Sequence, residues 1–516
     1  MPTALVIGVG LAGLTVAREL QTHGFRVTVF EKSSRVGGKA GSLPGTGPHA
    51  CPGVLYEHGY HIFPPWYLNM RKIVRDVGTR LIDFNRWHYL LPMAEGSKRL
   101  TTMQIPKSLA SLAGLASAWS VVSQSPIPIP DTLLYFYFVL DMVGQPLSRK
   151  SILDQVSRIG VMRNRWYMTR RLPELEDENI LKASAIPAYD MSAYTAKILS
   201  SYWLRLRRPF LSILPDNLQT ALIDPYHRQV VSSGVAIRLG HEVTALRCDG
   251  GPYVRSVTVH GPHGRIATKR ADVFVVATPL DVTPTLIERE VYDRDTTLGR
   301  IQHLRAAPMA ALHLTLRHKR TDLPREFVFF RGGEYGLSFI DHSQHWPVPN
   351  ARTHTTLSFI SSNFAPLQSM SRNEQYGALM TEIENYLAID PARDVQYWEL
   401  HPNTDFKLFI NTIGAWGDRP RVSCGIPNLF FAGDWVKNRI DLATMEGAVF
   451  SALHAAHEIG ERYRHATGVR VPPGPLLAPR YNPALVRLLV RLLAPTAAAF
   501  YAAARLNDWL FGSTGE

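Results

Sequence analysis

Three glycines near the start of the chain, Gly8, Gly10 and Gly13, sit between a short apolar run, Ala4–Ile7, and a helical pattern that starts at Leu14. An all-apolar run of this length is the pattern of a strand buried on both faces. Glycine at the first position permits a tight turn after such a strand. At the second it lets a diphosphate approach the backbone, and at the third it lets helix and strand pack closely. The helix that follows directs unpaired N–H groups and the positive end of its dipole at the anion. Glu31 closes a second strand-like run, Arg26–Phe30, 18 residues beyond Gly13. A carboxylate there is placed to accept hydrogen bonds from a ribose and disfavours a 2′-phosphate. The spacing alone is a weak signal, and the strand, helix and acid around it make it a dinucleotide site.

Gly37 and Gly38, flanked by Arg35 and Lys39 and preceded by Lys32, form a second cluster. Alone it reads as a turn carrying solvated charges. Its closeness to Glu31 makes it a second lining for phosphate.

The elements that must hold these residues follow a discontinuous order. The βαβ opening implies a parallel sheet. Residues 70–235 read as mostly helical, with the apolar stretch Thr132–Leu140 placed after prolines 126, 128 and 130. Strands return at Val235–Leu239, Glu242–Cys248, Ser256–His260 and Ala271–Ala277, then over 306–316, 326–331, 336–341 and 353–362. Arg372–Ala388 reads as a helix, Leu429–Ala432 as another buried strand, and Leu442–Tyr463 as a helix rich in small residues. The order predicts an α/β fold. A Rossmann-like dinucleotide domain (1–70, 235–300, 425–465) has an α+β substrate domain (71–234, 301–424) threaded through it. A proline-rich linker then leads to an amphipathic tail, the last section being 466–516.

The chain has 516 residues, 46% hydrophobic and 19% charged, which is a globular composition large enough for two or three domains. The 56 Lys and Arg against 43 Asp and Glu give a net charge of +13, which favours anionic partners. Cys51, Cys248 and Cys424 make no CxxC pair and no metal-ligand spacing, so no metal is expected and a reducing, cytoplasmic compartment fits. The first strand begins at once, without a charged leader or cleavage site.

Four blocks resemble the flavin-containing amine oxidase superfamily, and within it the phytoene and zeta-carotene desaturases. They are Val6–Gly13 through Glu31 to Ala40; Glu57–Phe63 continuing to Asn69 and Gly78; Gly240–Thr244 with Ala271–Pro279; and Leu429–Asp434 through Ala443–Ala448. Pro64, Pro65 and Trp66 depart from the small residues typical after the second block. The resemblance implies FAD as cofactor. It implies that Glu31 binds the adenosine ribose, that Lys39 and its glycines line the diphosphate, and that Val243 holds the adenine through its backbone. Gly433 and Asp434 would meet the ribityl–diphosphate segment, and Met445 the pyrimidine edge of the flavin. A helix starting near Ala443 would aim its positive end at the flavin N1 and O2 region, where charge collects on reduction.

Such chemistry needs a C–H bond held over the ring and water kept out, not a strong acid–base pair, and the sequence names no catalytic side chain. The resemblance places His61, whose block would pass by the flavin, among the cofactor-binding residues, and as a side chain it reads more readily as structural than as a proton carrier. No second GxGxxG follows a strand, so electrons are expected to leave to a quinone or to O2. The resemblance points to a lipophilic, isoprenoid or carotenoid-like substrate and to desaturation. Competing readings are a redox-neutral or reductive relative (an isomerase, or an enzyme like hydroxysqualene dehydroxylase), an amine oxidase, and a non-catalytic flavoprotein partner.

Leu485, Leu488, Leu489 and Leu492 recur at helical spacing, with Arg487 and Arg491 off that face, and Pro495 is expected to break the helix before an Ala-rich one. An interfacial membrane helix and a tail docked on the protein's own body or on a second subunit fit equally. The basic–aromatic segments Arg163–Arg171 and Tyr202–Arg208 suit an anionic bilayer better than nucleic acid beside a flavin site, and a solvated surface equally well.

Overall fold

The computed structural model describes residues 1–95, 100–104, 116, 119–120, 122–123, 125, 127–204, 208–403, 407–469 and 482–511. The proline-rich linker expected at Pro472, Pro473, Pro475 and Pro479, Pro126 of the loop expected before the apolar helix, and Arg205 and Arg207 of the second basic segment lie outside these. In chain order, β1 (Thr3–Ile7) leads to α1 (Leu11–Thr22), β2 (Arg26–Phe30), α2 (Leu68–Asp76), α3 (Ile129–Gly144) and α4 (Ala193–Trp203). There follow β3 (Ala236–Arg238), β4 (Val273–Val276), β5 (Leu429–Phe431), α5 (Met445–Arg462) and α6 (Pro483–Phe511).

The five strands form one parallel sheet in the order β5-β4-β1-β2-β3. Val273 to Val276 and Leu429 to Phe431 are buried without interruption, as strands covered on both faces must be. α1 and α5 pack side by side. Gly447, Ser451, Ala452 and Ala455 make α5 slim where it is buried, which permits that close approach. This is the Rossmann-like α/β domain that the βαβ opening predicts, and its ligand face lies at the carboxyl ends of the strands.

A second, seven-stranded sheet is mostly antiparallel and runs Val395–Pro402, Ala310–Leu316, Thr355–Ser361, Leu337–Asp341, Val328–Phe330, Arg86–Leu90, Leu100–Gln104. The helix Arg372–Tyr386 covers it, and Leu314, Phe339, Phe359, Leu379 and Ile383 form its core. The last two of its strands come from the segment that reads as mostly helical. They are half-buried and short, so their alternation is weak in sequence, and pairing supplies the strand structure. α3 likewise begins at Ile129 and takes Pro130 into its first turn, where a missing N–H costs nothing.

The tail corrects the expectation at Pro495. α6 runs unbroken through it for 29 residues. Proline removes one amide donor, and docking along both halves of the helix outweighs that loss. Val490 and Leu493 on one side of Pro495 and Ala497, Phe500, Tyr501 and Ala504 on the other all pack on the body of the protein.

Candidate active site

The diphosphate cradle is built where two glycine clusters meet. Gly8 takes φ +98°, and a Cβ there would lie 2.8 Å from the Ala277 carbonyl oxygen. A Cβ on Gly13 would lie 1.9 Å from the Gly8 oxygen, so only glycine lets α1 start this close to β1. Gly10 is the N-cap of α1 and pairs with Gly37, whose amide donates to the Val9 carbonyl at 3.1 Å. A Cβ at Gly10 would meet nothing nearer than 3.9 Å. Gly10 is thus bare for a reason other than internal packing, which suits a ligand passing over it. The first turn of α1 has no acidic residue and no side-chain cap, so its N–H groups face outward unpaired.

Lys39 closes the cradle. Its Nζ is buried, has no hydrogen-bond partner among the described residues, and lies 3.9 Å from Asp434 Oδ2. A buried ammonium without acceptors is costly, and an anion in the cradle removes that cost. The residues present therefore fit the diphosphate of FAD.

Around this centre stand the other residues singled out by sequence. Glu31 accepts the Val9 amide on Oε2 and the Ser33 amide on Oε1, both at 2.9 Å. Its carboxylate is thereby fixed at the tip of β2, with lone pairs left for a ribose. Lys32 next to it is exposed. The backbone of Glu31 bonds to Arg238 and His241, which brings the strand Glu242–Arg247 alongside. Val243 is buried in that strand, and the ladder shifts register between Val243 and Ala245. Gly433 is clamped to α5, since its amide donates to Ser451 Oγ at 2.8 Å and its carbonyl accepts from it at 2.9 Å. Met445 is the first residue of α5. Thr444, the N-cap, takes the Gly447 amide at 3.1 Å, leaving the Met445 and Glu446 amides at the helix tip without intrahelical partners. The helix starts two residues later than Ala443.

His61 is held by Glu57, with Nδ1 2.8 Å from Oε2. Glu57 is buried and also accepts the Leu218 amide, so the pair joins the second block to the turn beyond Leu218. His58 meets His61 edge-on at 4.8 Å between ring centres, and burial pushes its imidazole well below the usual histidine range. The pair is a structural clasp by its contacts.

Five residues without an assigned role in the sequence complete the site. Glu446, fully buried, accepts the amides of Asn69 and Met70 and the Asn69 side chain, so the first turn of α5 caps the N-terminus of α2. Burial pushes its carboxyl up to about 7. An acid in a helix's first turn was the available signal, although the amides it serves are 376 positions away. Arg419 is buried inside the loop that follows Asp434. It donates to the carbonyls of Trp435 at 2.9 Å and Val436 at 2.8 Å and pairs with Asp441, whose carboxyl burial pushes up. No sequence spacing announces that pair. Trp66, the departure after the second block, stacks on Tyr202 of α4 with ring centres 4.7 Å apart. Its indole Nε1 is buried without a partner, while the Tyr202 hydroxyl donates to the Ile440 carbonyl at 3.1 Å. Among the described residues, no group of three or more His, Cys, Asp or Glu side chains is placed to hold a metal.

The chain is similar to known proteins. The family described as flavin containing amine oxidoreductase matches residues 11–460. The 15-cis-phytoene desaturase of Synechococcus elongatus is 22% identical over 475 residues, covering 88% of this chain and 95% of that protein. The carotenoid phi-ring synthase of Streptomyces griseus is 24% identical over 495 residues, covering 90% and 88%. Among solved structures, cyclohexylamine oxidase from Brevibacterium oxydans superposes with a TM-score of 0.62 at 14% identity, over 90% of this chain and 99% of its own, which speaks for the fold. With a cradle that fits FAD and a family match across most of its length, the chain is an FAD-dependent oxidoreductase and belongs to the flavin containing amine oxidoreductases.

Proposed function

We propose that this enzyme desaturates a lipophilic, isoprenoid substrate of the carotenoid type. The observation that carries the reading is the near full-length similarity to a 15-cis-phytoene desaturase and a carotenoid phi-ring synthase. The buried stack of Trp66 on Tyr202 supports it, since apolar aromatic packing of this kind keeps water from a polyene.

In this reading residues 1–70, 235–300 and 425–465 form the flavin domain, 71–234 and 301–424 the substrate domain, and 466–516 the tail. Gly8, Gly10, Gly13, Gly37, Gly38 and Lys39 line the diphosphate, with Lys32 at its rim. Glu31 takes the adenosine ribose and Val243 the adenine, where the bulge loosens its strand. Gly433 and Asp434 take the ribityl segment, and the Met445 amide the pyrimidine edge. His61 positions the second block through Glu57 and moves no proton. When bound, the flavin supplies hydride acceptance at N5. The protein holds the substrate C–H bond against that face, and electrons leave to a quinone in preference to O2.

The test is anaerobic mixing of the purified flavoprotein with a C40 polyene such as phytoene in detergent. Bleaching of the flavin, a product lighter by two hydrogens, and reoxidation by a quinone support the proposal. Bleaching by amines with peroxide release on admitting oxygen makes it an amine oxidase. Product of unchanged mass makes it an isomerase, and loss of oxygen from an alcohol a dehydroxylase. Flavin that no substrate reduces and no acceptor reoxidises makes it a non-catalytic partner. A second reading, formation of a carotenoid phi-ring, is favoured by the Streptomyces griseus similarity, and a phi-ring in the product would show it.

A further inference from the structure

α6 is held to the body along its whole length and yet presents an apolar face to solvent. Its inner face docks through Val490, Leu493, Ala497, Phe500, Tyr501 and Ala504. Arg487 Nε donates to the Gly144 carbonyl at 3.1 Å, the Tyr137 hydroxyl to the Val490 carbonyl at 3.2 Å, and Arg171 pairs with Asp508. Arg171 also lies 3.9 Å from Asp131 at the start of α3, so the two helices run antiparallel. At their crossing, a Cβ on Gly144 would sit 3.3 Å from the Arg487 Cα. The outer face carries Leu485, Leu488, Leu489, Leu492, Leu506 and Leu510, with Leu485 66% and Leu492 68% exposed. Beside it Trp166 is exposed, its ring centre 6.2 Å from that of Tyr501, and so are Trp509 and Phe136 of α3.

A cavity of about 210 Å³ opens on the flank of this leucine face, between the end of α3 and the start of α6. Three arginines line it, Arg149, Arg487 and Arg491, and its single acid, Asp141, is already engaged by Arg165 at 2.9 Å and by the Tyr167 hydroxyl at 2.7 Å. The cavity thus presents cationic donors with no counter-charge of its own, one residue along the helix from Leu488 and Leu492.

We infer that α6 is a monotopic membrane-binding surface: it lies along an anionic bilayer with its leucines in the lipid, and the arginine-lined cavity receives a lipid headgroup phosphate. A helix this long and apolar also satisfies the criteria for a membrane span. Spanning would require it to leave α3, break the ties at Gly144, Tyr137 and Arg171, and carry Arg487, Arg491, Arg505 and Asp508 into hydrocarbon. Lying flat keeps every tie, buries the leucines and leaves the arginines at headgroup depth, where long cationic side chains settle. A second copy of the chain fits this face less well. The arginine flank would meet its own like charge, while Asp141 and Asp508 are already paired. The net charge of +13 draws the protein to the same kind of surface.

The test is flotation of the full flavin-loaded chain with vesicles of phosphatidylcholine alone or mixed equally with phosphatidylglycerol. The variants are L488E/L492E and R149Q/R491Q, each checked for unchanged flavin content and unfolding midpoint. Wild type is expected to float with the mixed vesicles and poorly with phosphatidylcholine. R149Q/R491Q is expected to bind roughly thirtyfold more weakly, as two cations at a membrane surface imply, and L488E/L492E not to float. Equal flotation with both lipids, or none with either, overturns the inference. So does a lipid-free dimer that L488E/L492E dissociates, which would assign the face to a second copy. Tight binding of inorganic phosphate without vesicles, lost in R149Q/R491Q, would make the cavity a site for a free anion and overturn it as well. None of these readouts depends on the substrate, so failure here leaves the desaturase reading untouched.

Discussion

The carboxylate of Glu446 accepts the backbone amides of Asn69 and Met70 at 3.0 and 2.8 Å, so the helices α5 and α2 share one acid at their tips. The Glu446 carboxyl is engaged by α2, and its own amide and that of Met445 are left without intrahelical partners at the tip of α5. The tip of α5 therefore stays positive although an acid sits in its first turn.

That relationship has a pH dependence. Burial raises the Glu446 carboxyl to about 7 in the folded protein, against about 4.3 in an unfolded chain. The folded state then holds a proton that the unfolded state releases, so this group's contribution is fully present below the unfolded value. It is lost as pH rises through about 7. Urea unfolding of wild type between about pH 5 and pH 8 should show falling stability, and E446Q should flatten that slope. E446Q should also cost about 1–3 kcal/mol near pH 7, because its amide N–H₂ opposes backbone donors.

Two glycines of one motif should fail in different ways. G13A forces a Cβ to 1.9 Å from a backbone oxygen and should destabilise the protein by more than about 3 kcal/mol, seen as a lowered Tm or insoluble protein. G10A has room for its methyl group and should leave the apoprotein Tm almost unchanged. Its FAD affinity should fall on the order of a hundredfold, measured by quenching of flavin fluorescence.

Lys39 should show opposite effects in the presence and absence of cofactor. Its buried Nζ has no hydrogen-bond acceptor among the described residues. K39M should raise the apoprotein Tm slightly and weaken FAD binding by about 1.5–3 kcal/mol, the worth of a charged hydrogen bond. Thermal melts with and without FAD check both signs.

Arg419 and Asp441 should be coupled. R419M strands a buried carboxylate and frees the loop after Asp434, which should cost about 3–5 kcal/mol and the bound flavin. R419M/D441N should recover part of the stability. The loop carbonyls of Trp435 and Val436 would still lack their donor, so recovery should be incomplete. A double-mutant cycle of unfolding free energies measures both.

The sequence by itself determined the nucleotide fold and named the residues expected to form the cradle. Gly8, Gly10, Gly13, Glu31 and the pair Gly37–Gly38 act within about thirty residues, and local backbone geometry dictates their types, so their pattern survives in one dimension. Lys39 and Asp434 were legible as separate motifs, and only folding set them 3.9 Å apart. Tertiary structure decided the rest. Glu446 serves amides far upstream, Arg419 reaches Asp441 through the core, and Trp66 finds Tyr202 across two segments. The strands Arg86–Leu90 and Leu100–Gln104 exist because a sheet edge pairs with them. Pro495 passes inside a helix because packing on both sides outweighs one lost amide. Local rules fix what each short segment prefers, and long-range contacts decide wherever the free energy of packing exceeds that preference.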